Sequence, residues 1–176
     1  MYLIKILPLC SIMILLNIQQ QGWIRQEISD NVIVHFPNKI DHNVVNGREI
    51  FACKMFNCAF MVGIARAIPD YTAFEKLEIP VKKKIVDDFF SDFIKAKLEK
   101  LDIRDVSINK IQLGGNIGRS LTYSVIGNPN KPSSVRFSQI FIVKNAVYTF
   151  ECWYLDNKDH NHEKDIFFNS ISIEIR

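Results

Sequence analysis

The chain lacks the local signatures of the common catalytic chemistries. No serine sits in a Gly-x-Ser-x-Gly elbow and no His-Glu-x-x-His occurs. It has no internal repeat, no low-complexity run and no linker rich in Pro, Gly or Ser. Seven glycines and six prolines in 176 residues exclude collagen-like and Pro/Gly-rich disordered sequence. Four cysteines are too few for a fold held together by disulfides. An excess of one charge is missing too: 22 basic against 19 acidic side chains give a net charge of +3. That is not the concentrated basic face that nucleic-acid binding requires. An apolar content of 48% and a charged content of 23% are those of an ordinary globular chain, which excludes disorder. The length fits one domain able to bury a core without metal or disulfide staples.

The first segment departs from this evenness. Residues 1–18 carry a single lysine, Lys5, followed by an apolar run from Ile6 to Leu16. A short positive start and an apolar stretch of about 7–15 residues mark a secretory signal peptide, whereas a spanning helix needs about 20 apolar residues. Pro8 interrupts the run, and Gln19-Gln20-Gln21-Gly22 closes it. No Ala-x-Ala precedes the glutamines, so an uncleaved N-terminal anchor is the competing reading. We therefore expect residues 1–21 to be a signal peptide or anchor and residues 22–176 to be one α+β domain. The expected location is the periplasm or the extracellular space. The membrane would then be touched only through residues 1–18, if they are retained. Cys10 does not fit a lipidation site, because Leu9 precedes it and apolar residues follow. Removing the leader takes Lys5 alone, leaving 21 basic against 19 acidic groups and a charge of +2.

Beyond the leader, Val32-Ile33-Val34-His35-Phe36 is a β-branched run stopped by Pro37. Residues 38–47 are expected to be a loop carrying the turn signal Asn46-Gly47. Residues 50–56 and 59–67 make a hairpin around Asn57. Residues 81–101 give the clearest pattern, with Val81, Ile85, Phe89, Phe93, Ile94, Lys97, Leu98 and Leu101 three or four apart. This predicts an amphipathic helix, with Pro80 at its start. Lys82-Lys83-Lys84 is expected to be its solvated first turn. Period-two patterns over 105–113, 117–126, 135–143 and 147–155 predict a four-strand meander, with Gly114-Gly115 as a hairpin turn. A short helix then runs into Phe168, with Asp159 as its cap, and residues 171–175 close the chain as a strand. Hairpins rather than βαβ units imply a mostly antiparallel sheet packed by one long and one short helix.

This order resembles the PsbP-like family, whose fold is shared by DcrB-type bacterial lipoproteins and Mog-type proteins. The resemblance rests on several stretches. They are the strand ending Phe36-Pro37, the helix preceding the meander, and the strand holding Arg119, Leu121 and Tyr123. To these are added Ala146-Val147-Tyr148-Thr149-Phe150, similar to the family's "vY.l.f" strand, and Ile166-Phe167-Phe168-Asn169-Ser170-Ile171, similar to its closing "f..Sf". It covers nearly all of the chain after residue 21. It implies an α+β sandwich and a non-catalytic accessory, assembly or binding role, and it carries over no cofactor and no site residue.

The residues that could carry chemistry are few. Asp159, His160, His162 and Glu163 offer oxygen and imidazole ligands for Zn²⁺ or Cu²⁺, and would serve a small metal-dependent hydrolase. A polar surface loop opening a helix is the plainer reading, and no catalytic residue or cofactor is assigned. Gly114 to Arg119 offers glycines and a cation, which could suggest phosphate, but a strand rather than a helix N-terminus follows, so the expected reading is a hairpin turn. Cys53 and Cys58 would pair if the four residues between them form the turn of a hairpin. A thiol–imidazole pair of Cys53 or Cys58 with His35 or His42 is the other use of these cysteines. In the strand 147–155 one of Trp153 and Tyr154 must face away from the core, and an exposed Trp beside Arg or Tyr is a typical binding hot spot. Trp153, Tyr154 and Arg119 are thus the binding candidates, for a protein or envelope partner. A membrane-tethered structural protein is a further reading.

Overall fold

A computed structural model describes residues 22–29, 31–66, 68, 70–127, 133–156 and 158–174. The expected leader, Cys10, residues 128–132 and Ile175 lie outside these. Among the described residues, ten strands and three helices follow one another. The strands are β1 (Ile24–Ser29), β2 (Val32–Phe36), β3 (Asp41–Val45), β4 (Arg48–Met55) and β5 (Cys58–Arg66), then α1 (Tyr71–Glu75) and α2 (Ile79–Leu98). After them come β6 (Ile103–Leu113), β7 (Asn116–Val125), β8 (Ser134–Val143), β9 (Ala146–Tyr154), α3 (Asn161–Asn169) and β10 (Ser172–Ile173). The fold is α+β and antiparallel throughout its described strand pairs, as expected.

Seven strands form one sheet in the order β3-β4-β5-β9-β8-β7-β6, and β1-β2-β10 form a second, smaller one. Tight turns set the registers of the large sheet. Asn46-Gly47, Phe56-Asn57 and Gly114-Gly115 each place two successive residues at positive φ, the geometry that matches the twist of a two-residue hairpin. At Gly114 a side chain is doubly excluded, because a Cβ would also lie 2.4 Å from the Ile173 carbonyl oxygen.

One face of the large sheet is covered by the small sheet and α3. Phe60, Phe150, Cys58 and Cys152 on that face meet Val32, Val34 and Phe36 of β2 and Phe167 of α3, all fully buried. Phe167 packs at 5.5 Å from Phe36 and 5.3 Å from Phe60, ring centre to ring centre. Each such side chain contributes about 1.5–3 kcal/mol by leaving water. The other face carries α2, which buries Phe90 and Ile94 against Leu121, Tyr123, Ile140 and Val147. Here the helix differs from expectation. Val81 and Ile85 are exposed, and Val86, Phe89, Phe90, Phe93, Ile94 and Leu98 make the contact. A single helix is narrower than seven strands, so much of this face stays open.

Three elements are additional to the sequence reading, and the cap of a fourth differs from it. Residues 38–47 contain β3, an edge strand exposed along its whole length, whose Asp41-His42-Asn43 start has no apolar alternation to reveal it. The segment 24–29 forms β1, and Asp70 caps the short α1 by accepting a hydrogen bond from the Ala73 amide at 2.9 Å. The last helix is capped by position rather than by side chain at His160, while the Asp159 carboxylate accepts from the Asn161 amide at 2.8 Å.

Candidate functional site

The uncovered part of the α2 face forms a groove of about 390 Å³, a size typical of ligand sites. Its floor is the outer surface of β4, β5 and β9, and its wall is the C-terminal half of α2, through Phe93, Ala96 and Lys97. Period-two alternation decides which residues reach it. Phe150 and Cys152 point to the closed core, so Thr149, Glu151 and Trp153 must point to the groove. Gly63 stands opposite both Ile50 and Thr149, and nothing lies within 4 Å of where its Cβ would be. The floor is thus apolar, small and open at its centre.

At one end the polar groups interlock. Glu151, 8% exposed, forms an ion pair with Lys97 of α2, whose side chain is 16% exposed. Its other oxygen accepts from the Trp153 indole Nε1 at 2.7 Å. The Arg136 guanidinium stacks on the other side of the network, 3.9 Å from the centre of the Trp153 ring. A buried carboxylate holding both an ammonium and an indole fixes the Trp ring in one orientation. Trp153 remains half-buried, with its ring bounding the groove.

The three binding candidates from sequence therefore separate. Trp153 bounds the groove. Tyr154 is 5% exposed inside the closed core, where its hydroxyl donates to Asn161 Oδ1 at 3.2 Å and burial holds its pKa well above the ordinary phenol value. Arg119 is 7% exposed, pairs with Asp87, and lies 4.6 Å from the Phe90 ring centre under the opposite half of α2. Lys97, Glu151 and Gly63 were not singled out as site residues. The signal for Lys97 was a cation inside an otherwise apolar helical stripe; for Glu151 it was a carboxylate between Phe150 and Cys152.

The cysteines are arranged differently from expectation. The turn is Phe56-Asn57 alone, so Cys53 faces Phe60 and Cys58 faces Met55 rather than each other. Cys53, Cys58 and Cys152 are free and buried. The thiol next to Cys58 is Cys152, across the β5–β9 pair. That contact, and then burial, push the Cys152 thiol far above its ordinary value, while burial lifts Cys53 to about 11. His35 and His42 pair with neither thiol. His42 stacks on Phe51 at 4.3 Å and bonds Glu49 at 3.2 Å, and His35 Nδ1 is buried without a partner. The imidazole that acts electrostatically on Cys58 is His160, itself held at 2.7 Å from Asp156. Those are the residue types of a nucleophile, a base and an orienting acid, yet the Cys58 residue has 0% exposure.

In the tail, His160 turns inward against Tyr154, with ring centres 5.3 Å apart, while His162 and Asp159 are exposed. Its hydrogen bond to Asp156 raises the His160 pKa and lowers that of Asp156. Among the described residues no group of three or more His, Cys, Asp or Glu side chains is placed to hold a metal ion.

This architecture is a PsbP-like fold. Among solved structures the chain is similar to cyanobacterial PsbP (CyanoP) from Synechocystis sp. PCC 6803, at 13% identity, with 86% of this chain and 92% of that chain covered and a TM-score of 0.54. Weaker likenesses are to a Bacteroides thetaiotaomicron protein, 10% identical over 82% of this chain and 46% of that one (TM-score 0.46), and to a Pseudomonas aeruginosa protein of unknown function, 11% identical over 81% and 90% (TM-score 0.45). No family model matches the sequence. No curated protein matches it either. Among the described residues no helix is long and apolar enough to cross a membrane.

Proposed function

We propose that this is an exported, non-catalytic binding protein that takes up a partner in the groove between α2 and strands β4, β5 and β9. The observation that carries the reading is Trp153: a half-buried indole held rigid by Glu151, Lys97 and Arg136 at the mouth of an apolar groove. A fixed aromatic ring loses little freedom on binding, and Trp beside Arg is the composition of interface hot spots. Export is supported by residues 1–18, with their single lysine and apolar run. A non-catalytic role is supported by the engagement of Glu151, the carboxylate lining the groove among the described residues, by Lys97 and Trp153.

The partner is sought in the envelope of the native host. A photoreactive amino acid at position 63 should cross-link to one envelope component, and Trp153→Ala should abolish that product in a protein that stays folded, although the loss of the indole donor to Glu151 lowers its melting temperature. Cross-linking that survives Trp153→Ala, or equal yield from a probe on the exposed strand β3, contradicts the assignment. N-terminal sequencing of the mature protein tests export: a start near residue 22 is expected, and a retained Met1 in the membrane fraction opposes cleavage.

A further inference from the structure

A second cavity of about 570 Å³ lies under the N-terminal half of α2, on the same face of the sheet as Trp153 but across the helix from it. Its composition differs from that of the groove. The apolar lining comes from Phe74 of α1, Val86 of α2, Ile117 of β7 and Ile142 of β8. Ile79 and Ile117 are left 80% and 49% exposed at its edge. The rim is cationic and assembled from four separate parts of the chain: Lys82 and Lys83 of α2, Lys110 of β6, Arg119 of β7 and Lys144 of the β8–β9 turn. Only one carboxylate, Asp87, lines it among the described residues. That carboxylate is already engaged by Arg119, with Lys110 at 3.8 Å. Lys82 donates to the Glu75 carbonyl oxygen at 2.6 Å. Among the described residues, Lys83 and Lys144 meet no acidic side chain.

From sequence, Lys82-Lys83-Lys84 was expected to be a solvated helix start, and for Lys84 it is, since that side chain pairs with Asp88 in the next turn. The fold changes the meaning of the other two. It brings them beside cations more than 25 residues away in sequence, around a hollow that is apolar inside. Five cations around a single carboxylate repel one another, and apolar walls left in water cost free energy. An occupant with a negative head and an apolar body relieves both at once.

We propose that this cavity binds a single-chain anionic amphiphile. Its aliphatic tail would lie along Val86, Ile117 and Ile142, and its carboxylate or phosphate head among Lys83, Lys110 and Lys144. The site is separate from the Trp153 groove and does not depend on the function proposed for it.

The full chain is titrated, below micelle-forming concentrations, with dodecanoate, with dodecyl phosphate, with neutral dodecyl maltoside and with inorganic phosphate. Isoleucine methyl resonances and calorimetry report binding. Either or both anionic amphiphiles should bind and shift the Ile117 and Ile142 methyls, and which head binds tighter identifies it. The maltoside and inorganic phosphate should bind at least about ten-fold more weakly, the factor set by about 1.4 kcal/mol. Lys83→Glu/Lys144→Glu, both at exposed positions, should weaken the anionic ligands by a similar factor and leave the melting temperature in place. Gly63→Leu should leave this binding intact, which separates the site from the groove. Equal binding of the maltoside, binding that leaves the Ile117 and Ile142 methyls unshifted, or binding unaffected by the charge reversal would each overturn the proposal. So would affinity for anionic phospholipid vesicles with none for the free amphiphiles, which would make the patch a membrane-docking surface.

Discussion

The two faces of the seven-stranded sheet share one backbone and are treated in opposite ways. On one, β1-β2-β10 and α3 close over Phe60, Phe150, Cys58 and Cys152, each at 0% exposure. On the other, α2 crosses the middle and leaves a hollow on each side, one rimmed by Trp153 and Glu151, the other by lysines. Alternation along β9 makes the contrast visible residue by residue: Tyr148, Phe150, Cys152 and Tyr154 serve stability, while Thr149, Glu151 and Trp153 are left for recognition. A change on the closed face should therefore unfold the protein, and one in either hollow, away from the cluster under α2 and the Lys97–Glu151 pair, should leave it folded but unable to bind.

The largest effect separates the faces most sharply. Phe60→Ala removes a ring that touches Trp23 and Phe167, and should cost about 3–5 kcal/mol in denaturant unfolding. Gly63→Leu, three residues along the same strand but on the other face, should leave stability unchanged or raise it by about 0.5–1 kcal/mol. Equal losses would erase the distinction. The second effect tests the polar pair through which the wall of the groove carries structural weight. Lys97→Met strands the Glu151 carboxylate and should cost about 3 kcal/mol, whereas Lys97→Met/Glu151→Leu should recover most of that loss. A double variant as unstable as the single one would mean that the pair is needed for stability in its own right.

Two smaller effects follow from titrating groups. His160 has its pKa raised by Asp156, so its contribution is fully present below about pH 6.5 and fades as pH rises through the folded-state value. His160→Ala should lower the melting temperature more at about pH 5.5 than at about pH 8. His35, with its pKa lowered by burial and then by Arg25, works in the reverse sense: its neutral state favours folding, and that advantage disappears as pH falls below about 6.5. His35→Gln should therefore narrow the acid-induced loss of stability, a change readable from melting curves between those two pH values. The smallest effect concerns Tyr123, whose hydroxyl is buried beneath α2 without a partner. Tyr123→Phe should be neutral or slightly stabilising, because no hydrogen bond is lost.

The elements with strong periodicity were legible in the sequence. Strands over 32–36 and 50–66, the long helix, the meander and the short last helix all lie within a few residues of expectation, because each buries a face that leaves a pattern. What was hidden has a physical cause in each case. Strand β3 buries nothing, so its polar residues carry no alternation. The face of α2 rotated by one position, because Phe90 and Val86 fit the sheet and Val81 lies beyond its edge of contact. Cys53 and Cys58 failed to face each other because a two-residue turn at Phe56-Asn57 shifted the register expected of a four-residue one. The site was partly legible. Trp153 could be found from β-strand alternation alone, but its fixing by Lys97 joins residues 56 apart in sequence, which no local pattern encodes.

The two tryptophans allow the most direct test, because one lies on each side of the sheet. Trp23 packs edge-on against Phe60 in the closed core at 5.4 Å, and Trp153 bounds the open groove. With 5-fluorotryptophan in both positions, fluorine NMR gives one resonance for each. On titration with solubilised envelope fractions from the native host, the Trp153 resonance should shift or broaden while that of Trp23 stays in place. A response at Trp23 with none at Trp153, or none at either, would contradict the division of the sheet into a structural face and a recognition face.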